Sequence, residues 1–433
     1  MVISLALIWR LTRCGIFPSP QFIFVFSYFG YIYIGYLLML GDLNYSGMEG
    51  FNAVGTLIRL GYVAIFMAAL ATVFFGPTRY DRYFGPVALP NQSVTRLFYS
   101  GLACVMIIVA VTYLYLMPAN PIKAMLTDSS SVAYARQAVT TDMKNFGVFS
   151  NIFYNFMPLV WLSLYFLGKN RLWLLLLLAN FVVVFATGQK APIVYITAMF
   201  ALAHGLRNGT FSYKLAFFFG IFLLVLLVTL VFLQNFNVST GINTDDLLAS
   251  ISALLRRVFY VGPTTLINYF QTFPSYHPFL SEVSASVPSD QIVYRNIYGD
   301  HLRGTVNTVS IGLFYAWSGN VFVSAFLMFL LSICVFCLPV VFRYVVPDPA
   351  LLKAVYVTYC FLMVKLVLTD WYTLVPIFIL SFIVVSGLSH IWFNTLQGAL
   401  KRNFKIRVHA FAFFLSLLAL AYFTQGQLRT LLG

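Results

Sequence analysis

Positively charged side chains beside very apolar segments are the residues of this chain best suited to chemistry. Lys190 stands in TGQKAP (187–192), between two hydrophobic stretches. Placing a lysine near hydrocarbon costs about 2.5–3.5 kcal/mol on insertion scales. We therefore expect Lys190 to be paired, to bind an anion, or to extend its ammonium group to the membrane surface. The glycine and proline of this stretch predict a turn between two helices.

Five arginines belong to segments that we predict to lie on the same side as Lys190. They are Arg136, Arg256, Arg257, Arg295 and Arg303. A guanidinium group binds phosphate oxygens through a planar fork of N–H donors. Cations beside a leaving phosphate also stabilise the charge that develops in a transition state. The set therefore suits a phosphate or diphosphate carried by a lipid. The alternative interpretation is that each arginine forms a salt bridge with an aspartate of the same loops.

Several residues are candidates for accepting a proton. His301, in the sequence GDHLRG, is one, because the ordinary pKa of histidine, about 6.5, lets it act at neutral pH. Asp300 and Asp290 are alternatives, and a loop histidine without a chemical role is a further interpretation. Arg59 and Lys365 are charged residues within apolar stretches, and we regard them as candidates for lining a cavity.

Motifs for nucleotides and metals are missing from the sequence. It has no Walker loop, no dinucleotide-binding glycine motif, no HExxH and no Asp-x-Asp, and its five histidines are scattered. We therefore expect no metal and no nucleotide cofactor. The net charge of +14 would suggest nucleic acid for a soluble protein. In a membrane protein, lysine and arginine set the orientation instead, so no nucleic-acid partner is expected.

The composition indicates that these residues work in a bilayer. The chain is 61 % hydrophobic and 9 % charged, with a mean hydropathy of +0.88, whereas soluble domains have about 25 % charged residues. A spanning helix needs about 20 apolar residues. Segments of that kind lie near 20–40, 60–76, 97–117, 148–167, 171–187, 191–206, 214–234, 310–342, 350–368, 371–394 and 408–425. We predict an all-α polytopic membrane protein of about eleven spans, forming a single domain over 1–433.

The distribution of basic residues predicts the orientation of these spans. Lysines and arginines fall in alternate loops, which indicates a cytoplasmic N-terminus and an external C-terminus. Two long loops, at about 118–147 and 235–309, then face outward. The second has apolar residues at helical spacing from Leu247 to Phe259, which predicts an amphipathic helix on the outer membrane surface or across the mouth of a cavity. The stretch 310–342 is long, and Gly312 and Gly319 near its start allow a broken or re-entrant piece there.

Four short passages together resemble the Wzy-type O-antigen polymerases. TGQKAP is similar to the turn with a basic residue between two spans of that family. Tyr134-Ala-Arg136, followed at Gly147 by a glycine, resembles the pattern of its first long loop. LRRVFYVGPTTLI (255–267) is similar to its double-arginine helix, and TVNTVSIGLFYAWSG (305–319) to its entry into the next span. One departure is that Arg257 is followed only by Gly262, not by the longer arginine-to-glycine spacing of some members.

The resemblance implies glycosyl transfer on the periplasmic face of the bacterial inner membrane, with undecaprenyl-pyrophosphate-linked oligosaccharides as donor and acceptor. It implies neither metal nor nucleotide, membrane lipids as surroundings and a chain-length regulator protein as partner. The implied roles are catalysis by His301, Arg256 and Arg257, and substrate binding by Tyr134, Arg136, Lys190 and Arg303. A flippase or other transporter of the same lipid-linked unit, and an O-antigen ligase, are the alternative functions.

Overall fold

The computed structural model of this chain describes residues 2–12, 18–75, 92–119, 146–168, 171–187, 190–208, 244–283, 287–299, 309–346, 348–368 and 378–389, together with isolated positions at 121–139 and 217–229. All regular secondary structure in these ranges is helical. The helices with continuous bounds are α1 (Val2–Thr12), α2 (Pro20–Met39), α3 (Leu43–Ser46), α4 (Phe51–Phe75), α5 (Gln92–Leu116), α6 (Phe146–Asn151, Ile152–Phe156 and Met157–Leu167), α7 (Leu172–Ala186), α8 (Lys190–Asn208), α9 (Thr244–Phe259), α10 (Val261–Thr272), α11 (Ser289–Tyr298), α12 (Ser310–Ser318), α13 (Val321–Val345), α14 (Pro349–Leu368) and α15 (Phe378–Ser389).

Five of these helices are long and apolar enough to cross a membrane, namely α2, α4, α5, α13 and α14. Helices α7 and α15 are apolar but shorter. This result confirms the predicted class, an all-helical protein embedded in a membrane. The number of eleven spans stays a prediction, because the segments 214–234, 371–394 and 408–425 lie wholly or largely outside the described residues. The second predicted span begins earlier than expected, since α4 starts at Phe51.

Helix packing buries an aromatic core that contains a hydrogen-bonded asparagine. Helix α4 packs along α13, and α14 packs against both α6 and α2. Trp161 is fully buried and donates from Nε1 to Oδ1 of Asn180 at 3.3 Å. Asn180 in turn donates from Nδ2 to the carbonyl oxygen of Phe153 at 2.9 Å. Because an unpaired polar group is costly in an apolar interior, these bonds allow an asparagine in the core and fix α6 against α7.

Two helices contain a π-helical turn, at Phe29–Tyr33 in α2 and at Ile152–Phe156 in α6. A π turn inserts one extra residue into the helix, changes the direction in which side chains point, and is frequent at functional sites. Each of these turns carries a tyrosine near its middle, Tyr31 in α2 and Tyr154 in α6.

The long apolar stretch 310–342 is two helices, as the sequence allowed. Helix α12 ends at Ser318, and Gly319 follows with a left-handed φ of +59°. The Asn320 side chain then accepts a hydrogen bond from the Phe322 N–H at 2.8 Å, which caps the start of α13. With nine residues, α12 is about 14 Å long, too short to cross a membrane. Its first residue lies inside the bundle, where the Ser310 hydroxyl donates to the carbonyl oxygen of Leu366 at 2.8 Å.

The helices of the second predicted loop gather at one end of the bundle, where α2 ends and α4 begins. We call this the long-loop end. Helix α9 packs on α2, and α10 packs on α2, α4 and α12. The amphipathic helix predicted for this loop is confirmed by α9, whose apolar residues concentrate on one face.

Candidate functional site

Two exposed arginines lie at the C-terminal end of α9, where a helix dipole favours positive charge. Arg256 and Arg257 are both exposed, in the last turn of the helix. Arg256 donates from Nη2 to the hydroxyl of Tyr45 at 3.2 Å, and the Tyr45 ring lies 5.7 Å from that of Tyr260. Two guanidinium groups are thus presented together at the long-loop end, and one of them is held by a tyrosine of the α2–α4 connection.

The same helix exposes a row of large apolar side chains. Leu248, Ile251 and Leu255 are exposed, whereas Leu254 is buried. A helix with one apolar exposed side and two terminal arginines has the composition of an interfacial helix, with its apolar side in the acyl boundary and its cations beside anionic headgroups. This arrangement can bind an amphiphile that carries phosphate.

The TGQKAP turn lies where the sequence predicts it. Helix α7 ends at Ala186, and α8 begins at Lys190. With 15 residues, α7 is about 22 Å long, shorter than a hydrocarbon core of about 30 Å. The Tyr154 hydroxyl of α6 is hydrogen-bonded to the Thr187 side chain. Thr187, at the start of the turn, is therefore level with the π turn of α6.

A lysine and two tyrosines from three helices meet just below this turn. The Lys365 Nζ atom lies 5.0 Å from the centroid of the Tyr195 ring and 5.8 Å from that of Tyr154. A cation over the face of an aromatic ring is stabilised by the ring quadrupole. The Tyr31 side chain lies near Tyr195. We call Lys365, Tyr195 and Tyr154 the lysine–tyrosine cluster. The three side chains of the lysine–tyrosine cluster are half-buried.

The π turn of α2 is contacted by the segment that follows the arginine helix. Gly262 at the start of α10 lies against the carbonyl oxygen of Tyr31 and the side chain of Ile32. The Tyr31 side chain lies near Tyr195 of the lysine–tyrosine cluster.

A buried carboxylate lies apart from these groups, in the first turn of α11. Asp290 is 6 % exposed, and its Oδ1 has no hydrogen-bond partner among the described residues. Burial raises the pKa of Asp290, and hydrogen bonds from backbone N–H groups, including that of Gln291, oppose the rise in part. A carboxyl group with a raised pKa can exchange protons closer to neutral pH than an ordinary aspartate.

The other predicted site residues are placed as follows. Arg295 is exposed on α11, and Arg59 is exposed on α4 beside Tyr36. Lys190 is the first residue of α8, but its side chain, like all of Tyr134, Arg136, Asp300, His301 and Arg303, lies outside the described part of the chain. The structure thus shows Arg256 and Arg257 exposed in the last turn of α9, and the roles of all these residues stay predictions.

Sequence reasoning missed both tyrosines of the cluster. It identified Lys365 only as a charged residue in an apolar stretch, and nothing in the spacing of Tyr154 or Tyr195 distinguishes them from the other tyrosines of the chain. One usable signal was that Tyr195 follows Lys190 by five residues in the same helix. Within the described ranges, no group of three histidine, cysteine or acidic residues is close enough to bind a metal ion.

Comparisons with known proteins give no match: no family model, no characterised protein and no solved structure is significantly similar to this chain. The resemblance to O-antigen polymerases therefore rests on the four short passages alone. The function has to be argued from the residues and contacts of the site.

Proposed function

We propose that this protein is a membrane glycosyltransferase of the O-antigen polymerase type, which joins lipid-linked oligosaccharide repeat units. In this proposal it resides in the bacterial inner membrane with its long-loop end in the periplasm. The substrates are two undecaprenyl-pyrophosphate-linked oligosaccharides, the N-terminus is cytoplasmic, and the C-terminus is periplasmic. A chain-length regulator protein is the proposed partner.

The observation that carries the proposal is the paired, exposed guanidinium groups of Arg256 and Arg257 at the end of an amphipathic helix. Tyr45 holds one of them, and the apolar exposed side chains of α9 provide a surface for an isoprenoid chain. A lipid diphosphate needs these two features together, cations for the headgroup and an apolar surface for the tail. They fit a lipid-linked substrate better than a soluble one.

The proposed reaction transfers the growing glycan from its lipid diphosphate to a hydroxyl of the second repeat unit. The bond between the anomeric carbon and the diphosphate oxygen breaks, and the lipid diphosphate leaves with the bonding electrons. In this proposal Arg256, Arg257 and Lys190 stabilise the charge that develops on it. The acceptor hydroxyl loses its proton to His301 or to an acid of the same loop, and Tyr134, Arg136 and Arg303 help to position the carriers.

The test is a gene deletion complemented with variants. The deletion strain receives the wild-type gene, Arg256→Ala, Arg257→Ala or Lys190→Ala, and the lipopolysaccharide is separated on a gel. We expect a full ladder from the wild type and a single repeat unit from the variants. The matched control is Arg171→Ala, an exposed arginine at the opposite end of α7, which should keep the ladder. A normal ladder from all three variants contradicts the proposed roles.

A transporter of the lipid-linked unit is the second candidate function. It is favoured by the half-length helix α12 and by the π turns, because interrupted helices at the middle of a bundle are typical of transporter binding sites. The deletion phenotype separates the functions. Loss of a polymerase leaves one repeat unit on the lipid core, loss of a ligase leaves none, and loss of a transporter stops export.

A further inference from the structure

A buried carboxylate lies between α13 and α14, away from the long-loop end. Helix α13 begins beside the second loop, where the Tyr276 N–H donates to the Gly319 carbonyl, so the connection after α13 is at the opposite end of the bundle. There Asp348 is 2 % exposed. Its Oδ1 atom accepts a hydrogen bond from the Ala350 N–H at 3.0 Å and caps α14. Its Oδ2 atom is buried too, and no group in the described ranges has hydrogen-bonding geometry to it.

The hydroxyl of Tyr99 joins this carboxylate to two serines. Tyr99 of α5 is fully buried, and its hydroxyl lies close to the side chains of Asp348, Ser389 and Ser163. Ser389 ends α15, Ser163 belongs to α6, and both are fully buried. The hydroxyl oxygens of Tyr99 and Ser389, like Oδ2, have no partner of hydrogen-bonding geometry in the part of the chain that the structure describes. Polar groups that face one another without a direct bond are the usual setting for a bridging water or ion.

These groups have more oxygen atoms than hydrogens to share. The Ser163 hydroxyl donates to the carbonyl oxygen of Leu159 at 2.7 Å, so its oxygen can only accept further. An ionised carboxylate also only accepts. The hydroxyls of Tyr99 and Ser389 are then the only hydrogen donors within this set of four side chains, and lone pairs are in surplus. Oxygen lone pairs around a negative charge are the ligands that hard cations prefer.

The charge of Asp348 determines the charge of a fitting ligand. Burial raises the pKa of Asp348, and backbone N–H groups at the start of α14 and the nearby Tyr99 hydroxyl oppose the rise in part. A buried carboxylate is costly unless a positive charge accompanies it, and no described lysine, arginine or histidine acts on this one. A single carboxylate among neutral hydroxyls balances one positive charge, which is the charge of Na⁺ and not of Mg²⁺ or Ca²⁺.

We propose that the side chains of Asp348, Tyr99, Ser389 and Ser163 bind Na⁺. The Oδ2 atom of the carboxylate balances the charge of the ion, and the three hydroxyl oxygens contribute lone pairs. The ion links α5, α6 and α15 to the connection between α13 and α14, and it stabilises the end of the bundle opposite the arginine helix. Hydroxyl ligands belong to none of the metal-binding sequence motifs, so the sequence carries no signature of this site. The proposal is independent of the proposed function.

The test measures Na⁺ binding and stability that depends on Na⁺. The full chain is purified in Na⁺-free buffer and reconstituted in lipid nanodiscs, and melting temperatures are recorded while NaCl replaces choline chloride at constant ionic strength. Equilibrium binding of radioactive sodium counts the bound ions. Asp348→Asn removes the charge and keeps a helix-capping side chain, whereas Tyr99→Phe and Ser389→Ala each remove one oxygen. The matched controls are Asp290→Asn, at a buried aspartate of α11, and Ser386→Ala, at a buried serine of α15.

We expect the wild type to bind one Na⁺ per chain, with a melting temperature that rises with Na⁺ and then levels off. Asp348→Asn should lose both the binding and the rise. Tyr99→Phe and Ser389→Ala should weaken the binding several-fold, and they decide the matter if Asp348→Asn does not fold. Both controls should bind Na⁺ as tightly as the wild type.

Two results overturn the proposal. One is a wild type that shows no saturable Na⁺ binding and melts at the same temperature in NaCl and choline chloride, which means that a water molecule or a proton satisfies these groups. The other is Na⁺ binding that persists unchanged in the folded variants of Asp348, Tyr99 and Ser389, which places the ion elsewhere. Neither result bears on the lipopolysaccharide ladder, so the Na⁺ site and the proposed function fail separately.

Discussion

Gly35 of α2 lies directly against the carbonyl oxygen of Phe259, the last residue of the arginine helix α9. A methyl group at position 35 would overlap that oxygen and would also meet the Pro263 side chain. The absence of a side chain at Gly35 therefore permits α9 and α10 to meet on the surface of α2. Because Arg256 and Arg257 are in the final turn of α9, this contact determines where the two guanidinium groups lie.

Replacing Gly35 by alanine should displace the arginine helix. We expect Gly35→Ala to lower stability by about 1–3 kcal/mol, as overpacking does, and to shorten the lipopolysaccharide ladder. Gly30, in the same helix, has no atom within 4 Å of an added Cβ and is the matched control. Gly30→Ala should keep the ladder and gain up to about 1 kcal/mol from helix propensity. Melting temperatures in detergent and gels check both, and wild-type behaviour of Gly35→Ala would contradict the docking argument.

The two arginines of α9 should differ in their effect on stability. Arg256 is hydrogen-bonded to Tyr45, whereas Arg257 makes no hydrogen bond or ion pair with any other described residue. We expect Arg256→Ala to cost about 1 kcal/mol and Arg257→Ala less than about 0.5 kcal/mol, while both lose the ladder. Tyr45→Phe removes the same bond but keeps both charges, so it should share the stability loss and retain polymer. Loss of polymer in Tyr45→Phe would show that the Tyr45 hydroxyl has a role of its own.

Local features of the fold were predictable from the sequence. The glycine and proline around Lys190 predicted the α7–α8 turn, the apolar spacing from Leu247 predicted α9, and Gly319 marked the break before α13. In each case a short-range rule decides the structure, because turn residues and amphipathic spacing act over a few positions. The class of protein, an all-helical membrane protein, could be predicted from composition, because mean hydropathy does not depend on which helices pack together.

The lysine–tyrosine cluster could not be predicted, because its members come from positions 154, 195 and 365. These three residues lie close together only because of which helices pack together and because of the π turn in α6, and local sequence patterns identify neither. The docking of α9 on Gly35 is also long-range, since it joins positions more than 200 apart. The sequence therefore identifies individual charged residues, whereas their partners can be identified only once the packing of the bundle is known.

Asp290 should make stability depend on pH. Burial raises its pKa above the ordinary value of about 3.9, so the folded state favours the protonated form. That stabilisation is fully present below the unfolded pKa and is lost as pH rises through the folded pKa. We expect Asp290→Asn, which stays neutral, to melt at a higher temperature than the wild type at pH 7 and to show a smaller decline in melting temperature above pH 4. Parallel pH profiles of wild type and variant would contradict this account.

His277 holds the segment 273–283 against the end of α12. Its Nδ1 lies 2.6 Å from the carbonyl oxygen of Pro274, and its Nε2 lies 3.0 Å from that of Ala316. Carbonyl oxygens only accept hydrogen bonds, so a ring nitrogen that carries a hydrogen donates to the carbonyl oxygen beside it. Two backbone bonds add to the attachment, from Tyr276 N to the Gly319 carbonyl at 3.0 Å and from Leu280 N to the Trp317 carbonyl at 2.7 Å.

Replacing His277 by alanine should therefore release this segment from α12. We expect His277→Ala to cost about 1–3 kcal/mol, because the imidazole contacts with the carbonyl oxygens of Pro274 and Ala316 are lost. Hydrogen exchange should become faster at the amides of Tyr276 and Leu280. The control is His204→Ala, which removes a histidine bonded to Tyr165 at 2.9 Å and should lower the melting temperature without changing exchange at those two amides. Unchanged exchange in His277→Ala would mean that the backbone bonds alone hold the segment.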